Sequence, residues 1–380
     1  MSMGERQAGK PEVVRGLAGV VADTPSVSVV DEASGQLLYR GYPVPDLAGS
    51  RSFEEVAYLI WQGGLPSHEQ LAELSNAERS ARELPRPVAE ALRSLPLSCH
   101  PMDVVRTAVS LLGAHATTTG EGPEADRHRA ISLWAKLPTV VAAEQRRRRG
   151  LAPVPPDPSL GFTENFFHMC QGEMPSAEVL QALEVSLVLY AEHGFNASTF
   201  AARVVTSTGS DLYSAVTAAV GALKGPLHGG ANEAVMAFFD NLGGPEEVGP
   251  WLDRELAAGA KVMGFGHRVY KSGDSRVPTM RRYLEALAAS TEEGRRLLAV
   301  ADRLEQAMRE RKGLYPNLDY PTGPAYHLMG FDTPTFTPIF VVSRVTGWTA
   351  HVMEQKANNA LIRPLSAYVG PGRRALPGRH

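Results

Sequence analysis

Apolar residues recur at helical spacing through most of this chain, and this pattern constrains its fold more than any other feature. The segment SFEEVAYLIWQ begins with Ser52 and Glu55, which stand at the spacing of a capping box. Phe53, Val56 and Leu59 then fall on one helical face. Comparable segments follow, among them SHEQLAEL, RPVAEALRSL, SAEVLQALEVSLVLYAEH and EEGRRLLAVADRLEQAMRERKG. We therefore predict a mainly α-helical fold.

Strand signals are few, and length allows more than one core. The segment SVSVVDEASGQLLYRGY alternates around a glycine-containing turn and predicts a small hairpin near the N-terminus. At 380 residues, of which 43% are hydrophobic, the chain is long enough for two cores. Glycine and proline cluster at KGPLHGG and again at LYPNLDYPTGP. These clusters bracket about 100 residues, enough for a small inserted helical domain.

Charge and cysteine content exclude several classes of protein. The formal net charge is -3, so no overall positive field favours nucleic acid. No apolar run approaches the roughly 18–20 residues of a membrane span, and MSMGERQAGK lacks the apolar core of a signal peptide. The two cysteines, Cys99 and Cys170, are too few for a disulfide framework. We expect a reduced cytoplasmic protein that binds neither nucleic acid nor membranes.

Three short segments interrupt the helical pattern and carry ionisable groups. They are GPLHGGANEAVMAFF with His228, GFGHRVYKSGDSR with His267, and YPNLDYPTGP with Asp319. In each one, glycine or proline surrounds the ionisable residue, which is how a bent backbone directs a side chain into a cleft. These segments are the first candidates for chemistry.

His228 precedes two glycines and a predicted helix, ANEAVMAFF. The dipole and free N–H groups of a helix N-terminus disfavour a charged imidazolium. A neutral imidazole there can donate a hydrogen bond to a carbonyl oxygen, as triosephosphate isomerase illustrates. The alternative is an ordinary loop histidine beside a helix cap.

His267 and Asp319 each allow more than one interpretation. The glycines before His267 resemble the start of a nucleotide-binding loop, but the third glycine and a preceding strand are lacking. No metal-binding spacing includes His193, His228 or His267, so we expect no metal. The alternative for His267 is a solvated basic loop. Asp319 is either a turn former or helix cap, or a base beside a bound substrate.

Several arginines stand in apolar or turn surroundings where charge is unusual. Arg276, Arg344 in VSRVTGW and Arg363 in LIRPLSAY could each form a structural salt bridge. Guanidinium groups also bind carboxylates in bidentate fashion. If these arginines converge with His193 of AEHGFNASTF, they would suit a small dicarboxylate or tricarboxylate.

Four of these motifs together resemble the citrate synthase family. GPLHGGANEAVM, KVMGFGHRVYKSGDSR, YPNLDYPTGPAYHLMG and LIRPLSAYVGP occur in that family's order and spacing. The resemblance extends from GLAGVVADTPSVSVV almost to the C-terminus. HGFNASTFAARVV, FTPIFVVSR and GWTAHVMEQKANNALIRP are most similar to the bacterial 2-methylcitrate synthase branch of the family.

The resemblance implies a homodimer with shared active sites, each subunit having a large helical domain and a small inserted one. The small domain would be residues 222–326, and the large domain would comprise residues 1–221 and 327–380. The active site would lie in the cleft between the two domains. Closure of this cleft would follow oxaloacetate binding.

The resemblance also assigns roles by position. His228, His267 and Asp319 match the catalytic set of the family. The oxaloacetate ligands would be His193, Arg276, Arg344 and, from the partner subunit, Arg363. The coenzyme A site would include Lys261, Val262, Gly264 and Lys271.

The implied reaction condenses propionyl-CoA, and also acetyl-CoA, with oxaloacetate and hydrolyses the thioester. It needs no cofactor, since the coenzyme A thioester is itself a substrate. Two alternatives stay open at this point. One is a citrate synthase that strictly prefers acetyl-CoA, and the other is an inactive helical binding protein of the same fold. YPTG after Asp319 departs from many relatives, which leaves the shape of the acyl pocket open.

Overall fold

A computed structural model describes residues 13–31, 33–270 and 273–376 of the chain. Within these ranges it contains sixteen α-helices and three short strands, which confirms the prediction of a mainly α-helical fold. None of the helices in the described ranges combines the length and apolar character that a membrane span requires.

The elements follow one another along the chain with short connections. The strands are β1 (Ser28–Val30), β2 (Leu37–Tyr39) and β3 (Tyr42–Pro43). The first eight helices are α1 (Val44–Ser50), α2 (Phe53–Gln62), α3 (His68–Ser80), α4 (Arg86–Arg93), α5 (Pro101–Ala114), α6 (Pro123–Arg148), α7 (Phe162–Gln171) and α8 (Ala177–Tyr190). The other eight are α9 (Ala197–Ser207), α10 (Leu212–Leu223), α11 (Ala231–Asp240), α12 (Val248–Ala257), α13 (Val277–Ala289), α14 (Glu292–Lys312), α15 (Asp319–Leu328) and α16 (Phe336–Ala357).

Local sequence signals explain where the early helices begin. The Ser52 side chain accepts from the Glu55 amide, and the Glu55 carboxylate accepts from the Ser52 amide, so the predicted capping box begins α2. Ser67 and Gln70 form the same reciprocal pair at the start of α3. α2 ends at Gly63, whose φ of 84° is a left-handed conformation that glycine adopts without steric cost.

The predicted hairpin is also present, with one more strand than expected. β1 and β2 pair antiparallel, with Ser28 opposite Tyr39. β2 then pairs with the very short β3. Tyr39 is fully buried, and its hydroxyl donates to the carbonyl of Glu192 at 2.9 Å. The small sheet therefore supports the turn that follows α8.

α16 is the central helix of the larger part of the molecule. It is apolar around most of its circumference, and almost all of its residues up to Val352 are buried. It packs against α2, α6, α8, α9 and α10. Two of its buried side chains, Arg344 and His351, are ionisable. Polar groups this deep need partners or a function, because burying them alone is costly.

Helices α11 to α15 pack mainly on one another. α13 contacts α14 and α15, α11 contacts α15, and α12 contacts α14. This group meets the rest of the molecule where α13 and α15 contact α8 and where α11 contacts α16. Helices α11 to α14 and all but the last two residues of α15 lie within the predicted small domain, residues 222–326, whose boundaries stay a prediction.

The segment after α16 has no regular structure and, apart from the half-buried Ile362, is exposed up to residue 376. Its base is attached to α9, because Asn359 Nδ2 donates to the carbonyl of Ser207 at 3.1 Å and the Ile362 amide donates to Ser207 Oγ at 3.0 Å. Beyond this point, large apolar side chains project into solvent. Leu365 and Val369 are 92% and 95% exposed.

Candidate active site

Two loops that are distant in sequence are hydrogen-bonded to each other beside the site. The Gly266 amide donates to the carbonyl of Tyr315 at 2.8 Å, and the Asn317 amide donates to the carbonyl of Gly264 at 2.9 Å. The Asn317 side chain also donates to the carbonyl of Gly266 at 3.0 Å. These bonds bring the loop that carries His267 against the residues that lead into α15.

Gly264 is required by both conformation and packing. Its φ is 85°, and a Cβ there would lie 2.8 Å from Cγ2 of Val235 and 3.1 Å from the ring of Tyr320. A side chain would strain the backbone and push the loop off α11. The glycine that resembled part of a nucleotide loop therefore allows close packing.

The neutral ring of His267 carries its proton on Nε2, because Nδ1 faces two amides of its own loop. The amides of Val269 and Tyr270 point at Nδ1 from 3.1 and 3.5 Å, and an amide can only donate. Nδ1 is therefore an acceptor, and Nε2–H is available to a ligand. Burial, followed by the charge of Arg276, lowers the pKa of His267 to about 4, so the ring is neutral near pH 7.

His228 lies two residues before Gly230, which caps the N-terminus of α11. Its position depends on Gly229, because a Cβ there would lie 2.5 Å from Cγ and 2.7 Å from the carbonyl oxygen of Leu223. The sequence-based expectation of a histidine near this helix start is therefore confirmed. Burial, followed by the charge of Arg344, lowers the pKa of His228 to about 4.

The hydrogen-bond contacts of the His228 ring with the described residues all involve one nitrogen, Nε2. Nε2 lies 2.8 Å from Ser198 Oγ and 3.3 Å from the Ser198 amide, which can only donate. Trp348 Nε1 donates to the same Ser198 hydroxyl at 3.0 Å and holds it in place. Asn196 Oδ1, which can only accept, lies 3.2 Å from the same nitrogen. Nε2 is therefore engaged by Ser198 and Asn196, whereas Nδ1 has no hydrogen bond to the described residues. A neutral ring with a free N–H can donate to a carbonyl oxygen.

Asp319 is the first residue of α15, but its carboxylate does not cap that helix. Instead Oδ1 accepts a hydrogen bond of 2.7 Å from the hydroxyl of Tyr190, at the end of α8. The helix-cap alternative is therefore wrong. Burial raises the pKa of Asp319 to about 6, against the lowering effects of the Tyr190 hydrogen bond and the charge of Arg276.

Arg276 is buried and held by a carboxylate two residues before it. Its Nε and a terminal nitrogen donate to the two oxygens of Asp274 at 2.9 and 2.7 Å. Asp274 Oδ2 also accepts from the Leu318 amide at 3.2 Å, which connects this pair to the start of α15. Asp274 raises the pKa of Arg276 against the effect of burial, so the guanidinium stays charged.

Arg344, on α16, is equally buried but has almost no partners. Its Nε donates to the carbonyl of Tyr190 at 2.6 Å, and its guanidinium carbon lies 4.6 Å from the centre of the Phe340 ring. Its terminal nitrogens have no hydrogen-bond acceptor among the described residues. They are free to bind an anion.

His193 completes the group on the side of the small sheet. Its ring centre lies 4.9 Å from that of His267, and its Nε2 lies 3.1 Å from the hydroxyl of Tyr270. Burial, followed by the charge of Arg276, holds the pKa of His193 well below its usual value. All three histidines of the site are therefore neutral at pH 7.

Phe340 is a common neighbour of several of these groups. Its ring centre lies 4.2 Å from that of Tyr190 and 6.4 Å from that of His228. The charge of Arg344 lowers the pKa values of His228, His267 and Asp319. The structure thus brings together six of the candidate groups, namely His193, His228, His267, Asp319, Arg276 and Arg344.

The remaining candidates lie at the edge of this site or away from it. Lys261 is exposed, Val262 is half-buried, and both precede the buried Gly264 in one loop. Lys271 falls outside the described residues. Arg363 is exposed in the segment after α16 and has no hydrogen bond to the described residues.

A cleft of about 270 Å³ opens beside His267. Tyr270 and Asp274 line one side of it, and Leu314 and Tyr315 line the other. No cluster of three metal-binding side chains was found in the ranges that the structure describes.

Several residues of the site were missed by sequence reasoning. Asn196 and Ser198 stand in FNAST, a helix-start signal that could have drawn attention to the contact with His228. Asp274, at two residues from Arg276, was visible as a local pair. Tyr190 lies in an apolar helical run and reads as an ordinary core residue, so the sequence offered no signal for its contact with Asp319.

Comparison with known proteins agrees with this geometry. The profile described as "Citrate synthase, C-terminal domain" matches residues 16–365. A 2-methylcitrate synthase of Mycobacterium tuberculosis is 56% identical over 369 residues, which cover 97% of this chain and 93% of the relative. A citrate synthase of Mycolicibacterium smegmatis is 56% identical over 367 residues, which cover 96% of this chain and 97% of the relative.

Solved structures show the same architecture. Citrate synthase of Thermoplasma acidophilum, in a ternary complex with carboxymethyl coenzyme A and oxaloacetate, matches with a TM-score of 0.92 and 34% identity. That match covers 97% of this chain and 98% of the other. The profile match, the sequence identity and the shared architecture together show that this chain belongs to the citrate synthase family.

Proposed function

We propose that this protein condenses propionyl-CoA, and also acetyl-CoA, with oxaloacetate and hydrolyses the resulting thioester. The products are 2-methylcitrate or citrate, and coenzyme A. The observation that carries this proposal is the set of two neutral imidazoles, His228 and His267, and one carboxylate of raised pKa, Asp319, gathered around the unpaired Arg344.

Enolisation is the first chemical step. The hydrogens beside a thioester carbonyl are weakly acidic, so a carboxylate needs help to remove one. Asp319 takes the proton while Nδ1–H of His228 donates to the thioester oxygen, where negative charge develops. A neutral imidazole suits this step, because it can stabilise the developing negative charge through a hydrogen bond without carrying a positive charge itself.

Condensation and hydrolysis follow. The enol carbon attacks the keto carbon of oxaloacetate, a carbon–carbon bond forms, and the keto oxygen becomes a hydroxyl. His267 donates the proton for this oxygen from Nε2, and Arg344 and Arg276 hold the carboxylates of oxaloacetate together with His193. Water then cleaves the carbon–sulfur bond and coenzyme A leaves as its thiol.

The acyl thioester would approach along the loop before His267. Lys261, Val262 and Gly264 precede Gly266 and His267, which line the cleft, and we assign them to coenzyme A. We further propose that residues 222–326 form the small domain that closes over bound oxaloacetate. The two histidines of the catalytic set and Asp319 lie within this range.

We also propose a homodimer in which Arg363 reaches the active site of the partner subunit. The segment that carries Arg363 is exposed and rich in apolar side chains, which a second subunit would cover. We expect the enzyme to work in the cytoplasm, where oxaloacetate and acyl thioesters are available to a bacterial enzyme.

A citrate synthase that strictly prefers acetyl-CoA is the second candidate. The Mycolicibacterium smegmatis relative with that name is as similar to this chain as the 2-methylcitrate synthase of Mycobacterium tuberculosis. The two substrates differ by one methyl group, worth about 1–3 kcal/mol in an apolar pocket.

The test is a steady-state comparison of the two thioesters with oxaloacetate, following thiol release and identifying the product by mass spectrometry. We expect propionyl-CoA to be used with a kcat/KM at least comparable to that of acetyl-CoA. A preference for acetyl-CoA by two orders of magnitude would support the second candidate. Release of coenzyme A without a condensed product would contradict both.

The shared site has its own test. Chains carrying Arg363→Ala and chains carrying Asp319→Ala should each be inactive, and mixed dimers should regain part of the activity. Mixed dimers verified by mass spectrometry that stay inactive would count against a partner-supplied Arg363.

A further inference from the structure

Tyr190 makes a hydrogen bond that the proposed reaction does not by itself account for. Its side chain is 1% exposed, and its hydroxyl donates to Oδ1 of Asp319 at 2.7 Å. Burial, together with the negative charge of Asp319, holds the pKa of Tyr190 well above its usual value. The phenol therefore keeps its proton, and it can act on the carboxylate only as a donor.

Two further contacts fix the position of Tyr190. Its carbonyl accepts from Nε of Arg344 at 2.6 Å, and its ring lies against that of Phe340 with 4.2 Å between centres. The same residue thus touches the proposed base and the arginine proposed to bind oxaloacetate. A side chain held by packing and by its backbone can orient a catalytic group without being consumed in the reaction.

We propose that Tyr190 is a positioning residue for the base, which holds Asp319 by Oδ1 so that Oδ2 is presented to the acyl thioester. This inference rests on the proposed function, since it takes Asp319 as the group that removes the proton. A carboxylate that rotates freely would present either oxygen at a range of angles, whereas the phenol restricts it to one.

The hydrogen bond also keeps the base ionised. Burial favours the neutral acid, and a donor to the carboxylate opposes this effect. Loss of the phenol should therefore raise the pH at which Asp319 becomes a base. The other charged groups that act on the pKa of Asp319 are Arg276 and Asp274, from the loop before α13, and Arg344, from α16. Tyr326 of α15 is also close enough for the charge of Asp319 to raise its pKa.

The experiment compares Tyr190→Phe with the unaltered protein over a range of pH. We expect the acid limb of kcat/KM to move upward by about one pH unit and kcat near neutral pH to fall roughly tenfold. The KM for oxaloacetate should change far less, because the backbone carbonyl that holds Arg344 is retained.

Tyr326→Phe is the matched control. Tyr326 is as buried as Tyr190, lies on α15 together with Asp319, and bonds to Ser186 Oγ at 3.1 Å rather than to the base. Its removal should leave the acid limb unchanged. Equal shifts in both variants would show a general structural effect and overturn the proposal, as would a Tyr190→Phe profile identical to that of the unaltered protein.

A second measurement does not depend on turnover. Carbon-13 NMR of labelled aspartate carboxyl groups, assigned with Asp319→Asn, gives the pKa of Asp319 in the full chain. Tyr190→Phe should raise the pKa of Asp319 even if neither thioester proves to be a substrate. Failure of the proposed role of Tyr190 can therefore be distinguished from failure of the proposed function. In the unaltered protein the labelled Cζ of Tyr190 should titrate together with Asp319, and a Cζ signal that stays constant across that titration would overturn the proposal without any variant.

Discussion

Two arginines of this protein are almost equally buried, yet their surroundings differ completely. Arg203 on α9 and Arg344 on α16 are each 2% exposed. Arg203 uses the donors on all three of its nitrogens. Its partners are the carboxylates of Asp23 and Glu354, the side-chain oxygen of Gln355 at 3.0 Å, and Nδ1 of His351 at 3.0 Å.

Arg344 has one hydrogen bond, from Nε to the carbonyl of Tyr190. Within the described ranges, no carboxylate lies close enough to form an ion pair with it. Burial lowers its pKa, and Glu192 opposes this effect from a greater distance. A buried cation with free donors is costly to maintain, so its persistence indicates a ligand. The two arginines differ in how many of their N–H donors have a partner within the protein, and not in burial. We propose that this number distinguishes a structural arginine from one that binds substrate.

Among Arg344, Arg203 and Arg86, replacement of Arg344 by leucine should reduce kcat/KM the most. It removes about two of the charge-assisted hydrogen bonds that we propose to hold oxaloacetate, each worth about 1.5–3 kcal/mol, so kcat/KM should fall by about 10³-fold or more. The melting temperature should stay equal or rise, because an unpaired buried charge is lost. Steady-state kinetics and thermal unfolding measure both. A fall of less than tenfold would remove Arg344 from the substrate site.

Arg203→Leu should have the opposite profile. It leaves two carboxylates and a buried imidazole without their donor, and we expect a loss of about 2–4 kcal/mol in the free energy of unfolding. This range is discounted because Asp23 and Glu354 are partly exposed. Urea unfolding measures it, and kcat/KM of the folded variant should change by less than about threefold. Lost catalysis with unchanged stability would contradict the distinction between the two arginines.

The acid limb of the pH profile of kcat/KM should depend on the positive charge of Arg344. Asp319, the proposed base, must be ionised to take a proton, so kcat/KM should fall about tenfold per pH unit below about pH 6. His228 and His267 are neutral above about pH 4 and should not affect this limb. Because the charge of Arg344 lowers the pKa of Asp319, the residual activity of Arg344→Lys should keep the limb nearer pH 6 than that of Arg344→Leu does. Identical limbs in these two variants would contradict this coupling.

The same group affects stability with a defined sign. The pKa of Asp319 is raised from 3.8 to about 6 in the folded protein, so the folded state binds this proton more tightly than the unfolded state does. Its contribution to stability is fully present below pH 3.8 and is lost as pH rises through 6. Asp319→Asn should therefore gain stability relative to the unaltered protein between pH 4 and pH 7, by about 2 kcal/mol. Urea unfolding at several pH values checks this, and a constant difference would contradict it.

A third arginine is exposed, and its replacement should have the smallest effect of the three on activity and stability. Arg86, at the start of α4, is 88% exposed and pairs with Glu90 four residues along the helix. Such surface pairs are screened by water, so Arg86→Ala should change neither kcat/KM nor the unfolding midpoint measurably. A clear loss in either measurement would mean that the number of hydrogen-bond partners does not by itself predict how much each arginine contributes to activity or stability.

Much of the fold could be predicted because its signals are local. The capping boxes at Ser52 and Ser67, the apolar faces of the helices and the hairpin at residues 26–42 depend on neighbours within a few positions. His228, His267 and Asp319 were also visible, since each stands in a short glycine- or proline-rich interruption. The motifs that contain these residues, together with LIRPLSAYVGP, indicated the citrate synthase family.

What the sequence by itself determined is therefore the helical framework, the family and the identity of the ionisable groups. The tertiary structure alone decided which partners those groups have. Tyr190 reaches Asp319 across 129 positions and Arg203 reaches Asp23 across 180, and no local pattern encodes such contacts. A pKa, a tautomer or a free guanidinium depends on burial and on neighbours in space. Chain folding brings these together, so the same residue type has saturated hydrogen bonds at Arg203 and free donors, which we propose bind substrate, at Arg344.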